Sequence, residues 1–379
     1  MKKIIFIILC FLPYFVNAEG LALANNAKSA ILIEAKTGRV LFEKNADEAL
    51  APASMTKMMT LLLTMEAIDA EKIALDDKVT VSENAASMGG SQVFLSANTE
   101  YKLEEIIKAV CIASGNDAAV VLAEAIGGSV ENFVSLMNKK AKELGLTSTN
   151  FVNVYGLDAD GHLSSARDMA KIAKELIEHE LILKYSSIYE EYLNKPDGSS
   201  IWMVNTNKLV RFYKGIDGLK TGFTNKAGYC LTATGSWNDL RLISVVMGEE
   251  TQDNRSKDTI ELMNYGKNNY KVKTIFKKNE IVGKIDIELG QKRSEDVITT
   301  EEIIDLIDYS DTIDKYDYKI KLKKVVAPIK KGDAVGTLIV KKGNDTISTT
   351  NLTVKKDVNK VNFFTLLKRM LSLLILGFN

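Results

Sequence analysis

The chain has 379 residues, enough for two domains of ordinary size that each bury a core. Its 49 basic and 49 acidic side chains cancel, so no global basic field points to a nucleic-acid partner. Two histidines, His162 and His179, are too few for the His-rich centres of most metallohydrolases, and no G-x-S-x-G elbow accompanies either.

In chain order, the first segment is MKKIIFIILCFLPYFVNA. Lys2 and Lys3 give a positive start, Ile4 to Phe15 an apolar run too short for a comfortable span, and Ala18 a small final residue. That pattern predicts a signal peptide over residues 1–18, with an uncleaved anchor as the alternative. Removal of Cys10 with it would leave Cys111 and Cys230, which allow one disulfide at most; two buried thiols are an equal reading. Ser29–Glu34 and Val40–Glu43 read as hairpin strands around Lys36-Thr37-Gly38-Arg39. Ser54 to about Ala70 is helical in period and follows Pro52; Leu103–Ser114, Asp117–Ile126 and Val130–Leu144 read as further helices. Ser165–Ile177 opens on a capping serine. Gly228–Thr234 and Leu240–Met247 are predicted strands, the second so continuously apolar that it belongs at the centre of a sheet. Asn254–Tyr270 returns to helix. Strands at both ends of a helical middle predict an α+β unit over residues 26–272, its first and last strands side by side.

Beyond Lys273 the segments Glu280–Glu288, Asp317–Val326 and Val335–Lys341 are short, alternating and lysine-rich. They predict a small all-β, sandwich-like domain over residues 273–355, with no motif that carries chemistry. The chain ends NFFTLLKRMLSLLILGFN. On a helical wheel Asn362, Thr365, Lys368, Arg369 and Ser372 share one side, and Lys355, Lys356 and Lys360 precede them. Over residues 358–379 this predicts an amphipathic helix lying in a membrane interface; a helix docked on its own domain is the alternative.

Three short patterns carry the chemistry: Ser54-Met55-Thr56-Lys57, Ser114-Gly115-Asn116 and Lys220-Thr221-Gly222. S-x-x-K alone means little, but the ordered trio in an exported chain is specific. Ser54 at a helix start places backbone N–H groups where an oxyanion would develop. Lys57, three residues on, shares its face and can reach its hydroxyl. A lysine becomes a base only when its ammonium is destabilised by burial or a nearby cation, and Lys220 can be that cation. A Ser114 hydroxyl in a loop could relay a proton, and the Asn116 amide could fix a substrate carbonyl or Lys57. Gly222 would let a substrate backbone approach an edge strand, while Lys220, Thr221 and Thr224 offer a cation and hydroxyls for a carboxylate.

With these motifs, the stretches SAILIEAKTGRVLFEKNADEALAPASMTKMMT, GLDADGHLSSARDMA and GIDGLKTGFTNKAGYCLTATG resemble the D-alanyl-D-alanine carboxypeptidases, low-molecular-mass penicillin-binding proteins of the serine peptidase type. The resemblance implies a β-lactamase/transpeptidase-like catalytic fold, followed by a β-domain and an anchoring helix at the outer face of the cytoplasmic membrane. It implies that Ser54 attacks the bond between the last two D-alanines of a peptidoglycan stem peptide, and that β-lactams acylate the same serine. It also implies an oxyanion hole from the N–H groups of Ser54 and Phe223, and a terminal carboxylate held by Thr221 and Arg255. No cofactor is called for. The family often carries an arginine before the lysine-threonine-glycine strand; here Lys208 and Arg211 are merely nearby, and neither receives a role. His162 and Tyr155 read as structural.

A class A-type serine β-lactamase shares the three motifs, but needs a carboxylate to activate the deacylating water. From Leu144 to Lys174 the chain has no Glu, and Asp158, Asp160 and Asp168 sit in no matching pattern. A catalytically silent wall-binding scaffold is the reading from another class, and the intact motif set argues against it.

Overall fold

The computed structural model describes residues 22–311 and 315–376, so the signal-peptide reading of residues 1–18 lies outside the described residues. The chain divides into two compact units. The first takes Val40–Thr234, Ile243–Met263 and the chain up to Ile33; the second takes Glu34–Arg39, Gly235–Leu242 and the chain from Asn264.

A five-stranded antiparallel sheet has the order Val40–Lys44, Ser29–Glu34, Leu240–Glu249, Gly228–Trp237, Ile216–Thr224. The first strand thus lies beside the last, and the almost wholly buried Leu240–Glu249 is the middle strand, as its apolar run predicts. Asn238 and Asp239, with φ of 49° and 68°, join two of these strands; a two-residue hairpin needs that left-handed pair. Ile216–Thr224 is a sheet edge, yet largely buried, because the short turn Ala53–Thr56 and the helix Glu180–Ser186 pack against it.

The helices start where side chains can satisfy their free N–H groups. Ser165 Oγ accepts from Asp168 N at 3.2 Å ahead of Ala166–Ile177, and Ser129 Oγ from Asn132 N at 3.2 Å ahead of Val130–Glu143. Asn116–Gly127 is buried along its first eight residues and stops at left-handed Gly128. Its stretch Ala118–Ala123 is apolar on every side because it runs through the core. Among the described residues, no single helix is long and apolar enough to cross a membrane.

Among the described residues the second unit is all-β apart from the end of the helix Gln252–Asn269 and the terminal helix. A six-stranded sheet runs Tyr316–Leu322, Gly336–Lys342, Asp345–Val354, Ser294–Thr299, Ile281–Glu288, Val325–Val326, and Tyr270–Phe276 pairs antiparallel with Ile303–Asp308. Alternate residues of these strands point inward, so Ile285, Val297, Leu338, Val340, Leu352 and Val354 bury at no more than 5% exposure. Each such side chain contributes about 1.5–3 kcal/mol on leaving water.

The terminal helix spans Phe363–Leu376, starting five residues later than the expected 358. Val358 and Lys360 are still bridged to Ile329 and Gly290, and Asn362 Oδ1 caps the helix by accepting from Thr365 N at 2.9 Å. Arg369 departs from the expected free basic face: its guanidinium donates to the carbonyls of Gly290 and Gln291 at 2.8 and 2.6 Å. Phe363, Phe364, Leu367, Met370 and Leu371 stay exposed.

Candidate active site

Pro52 and Ala53 lead into a 3-10 turn, Ala53–Thr56, that delivers Ser54 and Lys57 to the head of the helix Lys57–Asp69. Lys57 is fully buried, and its Nζ lies 2.9 Å from Ser54 Oγ, 2.7 Å from Asn116 Oδ1 and 2.7 Å from the Tyr155 carbonyl. Lys57 follows Ser54 by three positions, just under one helical turn, so the two side chains meet. Burial holds the Lys57 amine well below its ordinary range, and the nearby Lys220 charge lowers it further. Lys220 is buried as well, and burial brings it down to about 7, with Arg255 pushing the same way.

Asn116 opens its helix and works in two directions. Its Oδ1 accepts from Lys57, and its Nδ2 donates to the Gly89 carbonyl at 2.7 Å, which fixes the amide orientation. Ser114 precedes it with a left-handed φ of 63°, a strained conformation that aims the serine into the cleft. Asp117, buried next door, accepts from Val93 N and Leu95 N at 3.0 and 3.1 Å, tying the loop Ser91–Leu95 to the same helix.

The cleft holds about 420 Å³ and is lined by Ser54, Ser114, Thr221, Gly222, Phe223 and Arg255, among others. Motif residues from three separated parts of the chain therefore share one cavity. Thr221 Oγ1 donates to Thr206 Oγ1 at 2.7 Å, and Phe223 stacks on Tyr229 with ring centroids 4.3 Å apart. Arg255 is 5% exposed, and its Nε has no hydrogen-bond partner among the described residues.

Gly222 lines the cleft and has a second reason to be glycine: a Cβ there would lie 2.9 Å from the Pro52 carbonyl and 3.2 Å from Ser54 N, so its absence admits the serine turn. Thr224 does not line the cleft; its Oγ1 donates to Asp158 Oδ1 at 2.8 Å and accepts from Ala227 N at 3.0 Å in the following turn. Gly156 makes a similar close approach from the other side: with φ of 94°, its Cβ would fall 1.9 Å from the Ala53 carbonyl.

His162 is buried and neutral over most of the pH range, since burial lowers it to about 4. Its Nδ1 accepts from Val152 N at 2.9 Å, so Nε2 carries the proton and donates to Thr56 Oγ1 at 2.8 Å. It braces the serine turn rather than entering the cleft. Asp168 accepts from Ser148 N and Thr149 Oγ1, both at 2.8 Å. Cys111 and Cys230 are free and buried, and burial pushes their thiols up to about 12 and 11. No cluster of His, Cys, Asp and Glu suited to a metal occurs among the described residues.

Sequence reasoning passed over one wall of the cleft. Val204, Asn205, Thr206 and Lys208 line it, delivered by the hairpin Glu190–Asn194/Ser200–Val204. The turn residues Lys195-Pro196-Asp197-Gly198 are the signal that could have found that hairpin. Lys208 is exposed on the wall, with no acidic partner among the described residues.

A family model described as D-alanyl-D-alanine carboxypeptidase matches residues 17–251, and one described as penicillin-binding protein 5, C-terminal domain, matches residues 270–360. D-alanyl-D-alanine carboxypeptidase DacF of Bacillus subtilis is 46% identical over 348 residues, covering 92% of this chain and 90% of the relative. Penicillin-binding protein 5 of Haemophilus influenzae superposes with a TM-score of 0.72 at 33% identity, covering 88% of this chain and 98% of its own. Penicillin-binding protein D2 of Listeria monocytogenes, solved in an ampicillin-bound form, covers 65% of this chain and 99% of its own at 32% identity, with a TM-score of 0.58. With the serine–lysine pair at the head of a buried helix and both family models matched in order, the chain belongs to the D-alanyl-D-alanine carboxypeptidase family of serine-type hydrolases.

Proposed function

We propose that this enzyme removes the terminal D-alanine from peptidoglycan stem peptides through an acyl-enzyme on Ser54, and that β-lactams acylate the same residue. The observation that carries the reading is the buried Lys57 amine, held low in basicity and 2.9 Å from Ser54 Oγ. Lys57 takes the Ser54 proton as Oγ bonds to the carbonyl carbon between the two D-alanines. The oxyanion faces the N–H groups of Ser54 and Phe223. As the tetrahedral adduct collapses, the C–N bond breaks and the proton passes to the departing amine, with Ser114 as relay. Water then adds to the ester, returns a proton to Ser54 and frees the shortened peptide.

Thr221 and Arg255 receive the terminal carboxylate, and Lys208 adds a cation on the same cleft wall. A buried guanidinium with an unmatched Nε suits a carboxylate, because such a donor is costly to leave unpaired. Gly222 lets an extended substrate backbone approach the edge strand, while Thr224 serves the strand end. The ampicillin held by the Listeria relative supports a lactam-reactive site.

The same reading makes residues 1–18 the export signal, residues 26–272 the catalytic domain and 273–355 the β-domain. The terminal helix would be a peripheral anchor on the outer face of the cytoplasmic membrane, where the enzyme serves cell-wall biogenesis and shape. Incubation with a fluorescent penicillin and with a peptide ending in D-Ala-D-Ala tests the chemistry. Expected are a covalent label and free D-alanine, both abolished by Ser54→Ala. A label that survives that change, or rapid penicillin turnover without D-alanine release, overturns the proposal.

A further inference from the structure

The hairpin beside the cleft has two unlike faces. Leu193 and Met203 are each 2% exposed on the inner side, while Tyr192 and Trp202 lie directly opposite one another on the outer side, 61% and 58% exposed. Alternation along a strand dictates this split, since residues two apart share a face and cross-strand partners stand together. Exposed large side chains scattered singly are ordinary, but two cross-strand aromatics that are both more than half in water make a continuous patch. Val204 lies two residues beyond Trp202 on the same strand and face, and it lines the catalytic cleft. The aromatic pair is therefore continuous with the cleft wall, about 7 Å along the strand.

The surroundings select the ligand class. On the side away from the cleft the next cross-strand pair is Asn194 and Ser200, neutral hydrogen-bonding groups. On the cleft side Glu190 pairs with Arg211 at 3.5 Å, so its charge is compensated. Flat aromatic faces flanked by neutral donors and acceptors fit the C–H faces and hydroxyls of pyranose rings. They fit an anionic polymer less well, since Arg211 is paired with Glu190, Lys195 Nζ donates to the Phe94 carbonyl at 2.6 Å and Lys208 belongs to the cleft; aromatic pairs of this kind serve where one side is apolar and the other wet.

We propose that Tyr192 and Trp202 form a saccharide platform that docks an N-acetylhexosamine chain, the glycan to which the stem peptide is attached, next to the cleft. The inference rests on the peptidoglycan reading above. The platform holds polymer-borne substrate while the cleft handles the peptide end.

The chain has two tryptophans, Trp202 and Trp237, so intrinsic fluorescence reports on the site. The probe is the β-1,4-linked tetramer of N-acetylglucosamine, and the variant is Tyr192→Ser/Trp202→Ser, with Tyr192→Phe/Trp202→Phe as the conservative control. Expected is a saturable fluorescence change in the unmodified protein and, by calorimetry, tetramer binding that the serine pair abolishes and the phenylalanine pair keeps. The serine pair should also lower kcat/KM about tenfold on a glycan-linked pentapeptide while leaving the free pentapeptide unchanged. Equal losses on both substrates, no tetramer binding, or a dimer that the serine pair dissolves would each overturn the platform. If the unmodified protein cleaves neither peptide, the functional reading falls, and the tetramer titration still decides the site.

Discussion

Replacing Asn116 by Asp tests whether Lys57 works as a neutral base. The change is nearly isosteric and puts a carboxylate where a neutral amide oxygen now sits 2.7 Å from Nζ. At that separation and an effective dielectric of about 20, the attraction is about 6 kcal/mol. Desolvation of a buried pair removes much of this, leaving about 3 kcal/mol, or roughly 2 pH units. The sign follows from the ammonium being the stabilised form: the lysine pKa rises, and the acidic limb of the acylation profile moves up with it. The second-order rate of Ser54 labelling by a fluorescent penicillin, followed from pH 5 to 10, reads that limb directly. Acylation at pH 7 should fall about 100-fold and recover toward alkaline pH. Asn116→Ala shares the loss of the Gly89 tether but adds no charge, so its rate should drop without an upward shift. A limb that stays in place in the Asp variant, or moves down, would refute a lysine base.

Gly156→Ala should cost about 3 kcal/mol, because the new Cβ collides with the Ala53 carbonyl and the left-handed φ is strained for alanine. Calorimetry should show a Tm lower by about 10 °C; an unchanged Tm would mean the serine turn yields easily. Burial, with Asp258 beside it, raises Glu249 to about 8 from an ordinary 4.5. A raised folded pKa gives stability that is full below about 4.5 and lost as pH climbs through about 8, so Tm should decline across that window. Glu249→Gln should flatten the decline, and a slope equal to the parent's would exclude Glu249 as its source. A chain ending at Asn362 should stay in the supernatant when spun with anionic vesicles, while keeping peptide cleavage within about twofold. Co-sedimentation of that truncated form would place the membrane contact elsewhere.

What was legible in the sequence were the features carried by local spacing. Ser54 and Lys57 meet because three residues close a turn, and Leu240–Glu249 is central because its run is apolar on both faces. The contacts of Thr224 were not legible: its partner Asp158 lies 66 residues away in the chain, and the turn that offers Ala227 N forms only where the strand ends. The wall at Val204–Lys208 escaped because a half-exposed two-stranded hairpin offers little hydrophobic period, and its place beside the cleft is a tertiary fact. Arg369 shows the same limit. A helical wheel records which side a cation occupies, but not that two loop carbonyls wait there for it.

The three contacts at Lys57 Nζ have a stereochemical consequence. An ammonium has three protons and can donate to all three neighbours at once. A neutral amine has two protons and one lone pair, so one contact must reverse its direction. The Tyr155 carbonyl and the Asn116 oxygen can only accept, the latter because its amide nitrogen is committed to Gly89. Ser54 is the one neighbour with a proton to give. Deprotonating Lys57 thus turns its lone pair toward Ser54 by elimination, so that loading the base and aiming it are a single event.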